Sequence, residues 1–242
     1  MSCNQVLQLL ELLREAKHPV FFGGAGVSTA SGIPDFRGSG GVYTRTGVDG
    51  PYSISVECLR ADPQRFFDFY RANLMFSHIE PNAIHRTLAR LEEQGRLQAV
   101  ITQNVDGLHQ AAGSKNVIEL HGSGDRCFCN RCGKLYPAEY LGTSGIPRCE
   151  KCGGIVRPDV VLFGESLSSH AIAQAEEQIA MADLLIVAGT SLSVYPAASL
   201  VADFEGEHLV IINLTPTSYD GLAELVIRED ACSVFEALAD LV

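Results

Sequence analysis

A chain of 242 residues, 46% of them hydrophobic, can bury a full core as one α/β domain, or as one domain with a small insert. Its formal net charge of −11 argues against non-specific nucleic-acid binding and mildly favours basic partners. No apolar run reaches the roughly 18 residues of a membrane span, and the N-terminus does not read as a signal peptide, so a cytoplasmic location is expected.

Residues 1–18 read as an amphipathic helix, with Val6, Leu9, Leu10 and Leu13 on one face. The apolar run 19–22 predicts a strand, which ends in Gly23-Gly24-Ala25-Gly26 and then meets Ser28, Thr29 and Ser31, all good helix N-caps. Strand, glycine turn and helix start together predict an anion cradle. Glycines let backbone N–H groups approach a phosphate, and a helix N-terminus adds partial positive charge. The dinucleotide pattern G-x-G-x-x-G is half present: Gly24 and Gly26 fit, but Thr29 stands where the third glycine belongs. No acidic residue follows a second strand about 20 residues on, as in an NAD dehydrogenase. Asp49 has about that spacing, yet it lies in a loop with Gly47, Gly50 and Pro51. A dinucleotide bound outside hydride transfer is therefore expected. Pro34-Asp35-Phe36-Arg37-Gly38 sets an acid, an aromatic and a cation beside the cradle; alone it would read as a surface turn.

Residues 38–51 lack periodicity and read as a long loop, of the kind that is usually functional or mobile. Residues 62–77 read as a helix carrying Phe66, Phe67, Phe69 and Tyr70. Asn82 caps a helix with apolar positions Ile84, Leu88 and Leu91, ending at Gly95. A buried strand, 97–101, then delivers Thr102-Gln103-Asn104-Val105-Asp106-Gly107-Leu108-His109 at its C-terminal end, where open α/β sheets bind ligands. A short helix to Ala112 and a strand, 117–120, deliver His121-Gly122. Among seven histidines, His121 stands at a strand end with room beside it, and imidazole takes a proton near neutral pH. His109 reads as packing its own helix, and the other five carry no neighbouring motif.

Eight cysteines without a secretory signal point to metal or thiol chemistry before disulfides. Cys129-x-x-Cys132 and Cys149-x-x-Cys152, 16 residues apart, have zinc-ribbon spacing. Four thiolates fill a tetrahedral site and leave no position for water, so the metal is expected to be structural. Cys3, Cys58, Cys127 and Cys232 are left as packing residues, Cys127 being the nearby competitor for a ligand position. Residues 126–157 thus read as a zinc insert in a domain made of 1–125 and 158–242. Past the insert, a strand at 160–163 ends in Gly164-Glu165, followed by a helix at 169–182. A strand at 184–188 closes on Gly189-Thr190-Ser191 before a helix at 196–204. The strand 208–212 ends in Asn213-Leu214, and a last helix spans 233–241. The alternation implies right-handed crossovers and a Rossmann-like, doubly wound parallel sheet.

In order along the chain, G-A-G-x-S-x-x-S-G-I-P-D-F-R-G (24–38), Q-N-V-D-G-L-H (103–109), L-H-G (120–122) and the two cysteine pairs resemble the sirtuins, NAD-dependent protein deacylases. The resemblance runs from Val20 to Asn213. It implies transfer of the acetyl group of an acetyl-lysine protein or peptide to the ADP-ribose part of NAD, releasing nicotinamide and O-acetyl-ADP-ribose. His121 would be the base and Asn104 its catalytic partner. NAD contacts carried over are Gly24, Ala25, Gly26, Ser28 and Thr29 at the pyrophosphate, with Asp35, Phe36 and Arg37 beside it. Gln103, Asn104 and Asp106 would face the ribose and nicotinamide, Gly189, Thr190 and Ser191 a second phosphate turn, and Asn213, Leu214 and Ala231 the adenosine. Substrate peptide would pair as an added strand between Val160, Phe163, Gly164 and Glu165 on one side and Val194 and Tyr195 on the other; Val160 and Phe163 also fit as plain core residues. The aromatic stripe at 66–70 fits a core face or an acyl-channel wall. Sirtuins that prefer succinyl or malonyl groups carry Tyr-x-x-Arg on that helix; here the positions hold Phe67 and Tyr70. Arg71, about 100° round the helix from Tyr70, is expected to face elsewhere. The implied cofactors are NAD as co-substrate and one zinc per chain. A zinc-ribbon module that senses NAD and an ADP-ribosyl transfer to protein remain open.

Overall fold

The computed structural model describes residues 3–36, 38, 40–46, 50–76 and 78–242; Arg37, Gly47 and Asp49 lie outside them. Among the described residues the helices are α1 (Cys3–Glu15), α2 (Val42–Thr46), α3 (Gly50–Ser53), α4 (Val56–Ala61), α5 (Pro63–Leu74), α6 (Ala83–Glu93), α7 (Leu108–Ala112), α8 (Ser169–Met181) and α9 (Ala231–Ala239). The strands are β1 (Pro19–Gly23), β2 (Ala99–Thr102), β3 (Val117–Glu119), β4 (Gly122–Cys129), β5 (Leu135–Pro137), β6 (Val156–Val160), β7 (Leu184–Ala188), β8 (His208–Ile212) and β9 (Leu225–Ile227).

Six of these strands form one sheet in the order β3-β2-β1-β7-β8-β9, every neighbouring pair parallel. Numbered within that sheet, the order is 3-2-1-4-5-6, which reverses direction between β1 and β7. Continuous apolar runs such as Leu184–Ala188 are buried along their whole length because helices cover both faces. On one face, α1, α6 and α9 pack Leu9, Leu13, Leu88 and Phe235 against Phe21 and Val100. On the other, α8 and a 3-10 turn at Ala197–Val201 pack against Phe22, Ile101 and Val187.

The cysteine-bearing segment builds a second, antiparallel sheet, β5-β4-β6. Its core is shared with α4 and α5: Cys58, Leu59, Phe66, Phe67 and Tyr70 pack with Cys127, Tyr136, Leu141 and Val156. The aromatic stripe is thus largely a core face, and Tyr70 alone of its four rings also reaches the cavity described below. Arg71 turns away from Tyr70 and donates to the carbonyls of Leu141, Gly142, Ser144 and Gly145.

Several local expectations are corrected. The glycine-rich loop enters two 3-10 turns, Ala25–Val27 and Thr29–Ser31, not an α-helix, and Ser28 caps neither with its side chain. Residues 38–51 are not wholly loop: α2 and the start of α3 fall there, held by Val42 N–H to Asp35 O and by the Phe36 and Tyr43 rings, 5.4 Å apart. The strand expected at 160–163 begins earlier, because Val156 to Val160 pair with β4. The helix expected at 196–204 is the 3-10 turn, and β9 was not expected.

Candidate functional site

Doubly wound sheets bind ligands outside the strand ends where the order reverses. There, beyond the C-terminal ends of β1 and β7, lies a cavity of about 1310 Å³. Two glycine loops form its floor, and they interlock. Gly26 N–H donates to Gly189 O at 2.8 Å. A methyl group on Gly26 would lie 2.8 Å from Gly189 Cα, and one on Gly24 2.8 Å from Thr190 Cβ. Gly189 has φ +60°, and its missing Cβ would fall 2.5 Å from Val27 N. These glycines let one loop lie on the other, leaving the opposite side of the backbone open to a ligand.

Above the floor, a polar cluster ties the loop after β2 to the glycine loop. Asn104 Nδ2 donates to Gly24 O (3.1 Å) and to Ser28 Oγ (3.0 Å), and Ser28 Oγ–H donates to Asp106 at 2.6 Å. That bond explains why Ser28 caps no helix. Gln103 Nε2 reaches Thr190 Oγ1 at 3.0 Å, bridging to the second glycine loop. Burial raises the Asp106 carboxyl above its ordinary value, against the lowering effect of Ser28 and of Leu108 N–H.

His121 enters from the turn between β3 and β4. Its Nδ1 lies 2.8 Å from Gln103 O, and a carbonyl only accepts, so Nδ1 carries the proton and Nε2 keeps its lone pair. Burial lowers its pKa, opposed by that same bond, so the ring is neutral at pH 7 and able to accept a proton.

Next to His121 runs the extended segment 160–165. Val161 N–H donates to His121 O (2.9 Å), and Phe163 exchanges backbone hydrogen bonds with Ile54 and Val56. Glu165 is held by the buried Arg157 guanidinium at 2.6 and 2.9 Å and by Leu162 N–H. Its carboxylate therefore braces the segment. Phe163 and Tyr195 are exposed at the cavity, with Val160, Gly164 and Val194 beside them. At the far end lie Asn213, the exposed Leu214 and Ala231, the first residue of α9.

Thus Ala25, Gly26, Ser28, Thr29, Asp35, Phe36, Gln103, Asn104, Asp106, His121, Gly189, Thr190 and Ser191 all line one cavity, together with the peptide-side and adenosine-side residues above. Gly24 lies behind its wall against Thr190, and Arg37 is outside the described residues. Tyr70, Asp125 and Glu139 also line it. Tyr70 was visible as part of the aromatic stripe; the two acids carried no sequence signal.

Away from the cavity, Cys129, Cys132, Cys149 and Cys152 bring their sulfurs within 4.8 Å of one another. The pairs Cys129–Cys152 and Cys132–Cys149 are 3.5 and 3.6 Å apart. A tetrahedral ion with Zn–S near 2.3 Å puts its sulfurs about 3.8 Å apart, so the set fits zinc. Tyr136 O–H donates to Cys149 Sγ at 3.1 Å and pulls that thiol down to about 6, which suits a thiolate ligand. Cys127 lies outside the cluster, in the core, its thiol pushed up to about 12 by burial.

The Sir2 family model matches residues 24–196. An NAD-dependent protein deacetylase of Cutibacterium acnes is 53% identical over 227 residues, covering 92% of each chain. One from Clostridium acetobutylicum is 47% identical, over 97% of this chain and 98% of its own. Among solved structures, a Sir2 with a deacetylated p53 peptide and 3′-O-acetyl ADP ribose superposes with TM-score 0.91 at 39% identity over 98% of both chains. A Sir2 with p53 peptide and NAD+ gives TM-score 0.84 at 41% identity, over 97% of this chain and 95% of that one. With more than half its length matched by the family model and near-complete coverage by close relatives, the chain belongs to the Sir2 family.

Proposed function

We propose that the cavity carries out NAD-dependent protein-lysine deacetylation, as the curated relatives do. One observation carries the reading most directly: a neutral histidine with a free Nε2 shares a cavity with a glycine cradle at the sheet's reversal point. NAD is the co-substrate; when bound it supplies a cleavable nicotinamide–ribose bond and a ribose hydroxyl that receives the acetyl group, making the enzyme a transferase. Ala25, Gly26, Ser28 and Thr29 hold the pyrophosphate from one glycine loop, with Gly24 shaping the turn and Asp35, Phe36 and Arg37 beside it. Gly189, Thr190 and Ser191 do so from the other. Gln103, Asn104 and Asp106 orient the ribose and nicotinamide, their positions fixed by Ser28 and Thr190. Asn213, Leu214 and Ala231 receive the adenosine. His121 accepts the ribose hydroxyl proton at Nε2 while Gln103 O fixes its tautomer.

Acetyl-lysine peptide adds as a strand along Val160, Phe163, Gly164 and Glu165, facing Val194 and Tyr195. The cysteine tetrad holds one structural zinc. Residues 126–157 form the zinc-binding part, and 1–125 with 158–242 the dinucleotide-binding part. No described helix is long and apolar enough to cross a membrane; we propose a cytoplasmic location, and a protein partner, not nucleic acid, fits the net charge of −11.

The test is mass spectrometry of the products from NAD and an acetyl-lysine peptide. O-acetyl-ADP-ribose, nicotinamide and free lysine peptide are expected in equal amounts. ADP-ribose attached to protein would favour ADP-ribosyl transfer, and unconsumed NAD would favour a sensing module.

A further inference from the structure

Part of β4 does not follow its pairing with β6. Ser123 stands opposite Asp159 and Cys127 opposite Pro158, so Gly124, Asp125 and Arg126 bulge out against a single step of the partner strand. Such a bulge bends its strand and re-aims the side chains it carries. Gly124 N–H is tied to Val105 O, in the loop after β2, at 2.7 Å. Arg126 lays its guanidinium back across the bulge: Nε donates to Asp159 Oδ2 at 2.6 Å, and a terminal nitrogen donates to Glu119 Oε2 at 3.2 Å. Glu119 also accepts from Gln110 Nε2, on α7, at 2.9 Å. Glu119 is the last residue of β3, two before His121, and Asp159 is the neighbour of Val160, where the peptide-side segment begins. One side chain thus joins the strand that delivers the base to the strand that delivers the peptide segment. Little space separates the two. A methyl group on Gly122, at φ +79°, would collide with Asp159 O, and Val161 N–H donates to His121 O at 2.9 Å.

We propose that Arg126 is a positioning residue, whose two ion pairs hold His121 and the segment 160–165 in one fixed relation so that base and acetyl-lysine meet in register. The proposal rests on the deacetylase reading and deepens it. Arg126 lies outside the residues that line the cavity and acts only through its two partners. Position matters acutely there, because a base displaced by about 1 Å loses roughly a hundredfold in rate. Folding stability depends on these bonds far less. The Arg126 side chain is 49% exposed, and exposed ion pairs add little to stability. A planar guanidinium that serves two carboxylates at once fixes direction instead, which the single ammonium of a lysine cannot do. The two arms have separate effects. Glu119 steadies the turn carrying His121 and therefore acts on kcat. Asp159 steadies the start of the peptide segment and therefore acts on the KM for peptide.

The experiment measures kcat and KM for one acetyl-lysine peptide at saturating NAD, NAD binding by calorimetry without peptide, and melting temperature. It compares the wild type with Glu119→Gln, Asp159→Asn, Arg126→Gln and Arg126→Lys. Glu119→Gln should lower kcat about fivefold at unchanged peptide KM, and Asp159→Asn should raise peptide KM about fivefold at unchanged kcat, each the worth of roughly one net hydrogen bond. Arg126→Gln should do both, and Arg126→Lys should recover one of the two constants. Neither ion pair involves the glycine loops, so NAD binding should stay within about twofold and melting temperature within a few degrees in every variant. Wild-type kcat and KM in Arg126→Gln would overturn the proposal. Equal changes of the same constant in Glu119→Gln and Asp159→Asn would do so too. A variant that fails to fold, or that loses NAD binding in step with turnover, would also overturn it by making the clamp a plain structural brace. Absence of wild-type turnover on acetyl-lysine would instead overturn the deacetylase reading, which keeps the two failures apart.

Discussion

At His121 one hydrogen bond decides which nitrogen works. Because Nδ1–H is committed to Gln103 O, the base is Nε2, and His121→Ala is expected to abolish deacetylation while NAD binding stays within about tenfold, or 1.4 kcal/mol. Calorimetric titration beside a turnover assay checks both halves; near-normal turnover would remove His121 from the mechanism. The base works only when neutral, and burial holds its pKa below the usual imidazole value. The acid limb of kcat/KM should accordingly fall below pH 6.5, and an inflection above that value would contradict the assignment. Arg71 supports a second prediction. Its guanidinium is occupied by the carbonyls of Leu141, Gly142, Ser144 and Gly145, and Arg157, the described cation that acts on Tyr70, is committed to Glu165, while Asp106 and Asp125 line the cavity. Acetyl-lysine peptide should exceed the succinyl version by at least tenfold in kcat/KM, about 1.4 kcal/mol; equal rates would mean that a cation lines the channel after all. Ser28 and Asn104 were legible in the sequence as cavity residues because each sits in a polar run after a strand, and His121 because it stands at a strand end with Gly122 leaving room beside it. Asp125 was not, since a lone acid in a cysteine-rich segment looks like any solvated charge, and it stays exposed even where the fold sets it at the cavity.

Among the elements, α6 was the easiest to read and has an unexpected second task. Asn82 caps it, accepting from Ile84 N–H, but Asn82 Nδ2 also donates to Val27 O (2.8 Å) and Ser31 Oγ (3.0 Å) in the cradle. Asn82→Asp keeps the cap and removes the donor. We expect its melting temperature to stay within a few degrees while KM for NAD rises about fivefold, the worth of roughly one net hydrogen bond. An unaltered KM would restrict Asn82 to capping. The cysteine sheet makes a different prediction. Its core is continuous with α4 and α5, so Cys129→Ser or chelation should remove zinc, melt residues 126–157 and abolish activity together. Metal analysis with far-UV circular dichroism tests this; activity lost from a fully folded, zinc-free protein would contradict a structural metal. Strand β9 escaped the sequence because three residues are too few for a periodic signal, and its identity comes from pairing with β8. The 3-10 turns escaped because Ser28 spends its hydroxyl on Asp106, a bond no local pattern announces.

Across the whole molecule, alternation of strands and helices was enough to foresee a parallel sheet, but not its order, which rests on contacts between distant segments. The same dependence shows in its response to acid. His85 and His109 are fully buried with rings 4.7 Å apart, and burial lowers their pKa values to about 4 and about 3. Both are neutral when folded, whereas unfolded histidine titrates near 6.5, so the unfolded chain binds more protons below that pH. Their contribution is complete above pH 6.5 and is lost as pH falls toward 4, by up to about 1.4 kcal/mol per pH unit for each ring. Melting temperature should drop between pH 7 and 5, before most carboxylates titrate, and His109→Phe should flatten that slope; an equal slope in the variant would remove the histidines from the cause. Finally, the interlocked glycines have a consequence for biosynthesis. Gly26 and Gly189 lie in the loops that follow β1 and β7, strands adjacent in space, and are more than 160 positions apart in the chain, with the whole cysteine sheet translated between them. A nascent chain still lacking β7 has only half a cradle floor, so the enzyme emerges from the ribosome blind to its co-substrate, and cellular NAD can stabilise it only once nearly the entire polypeptide has been made.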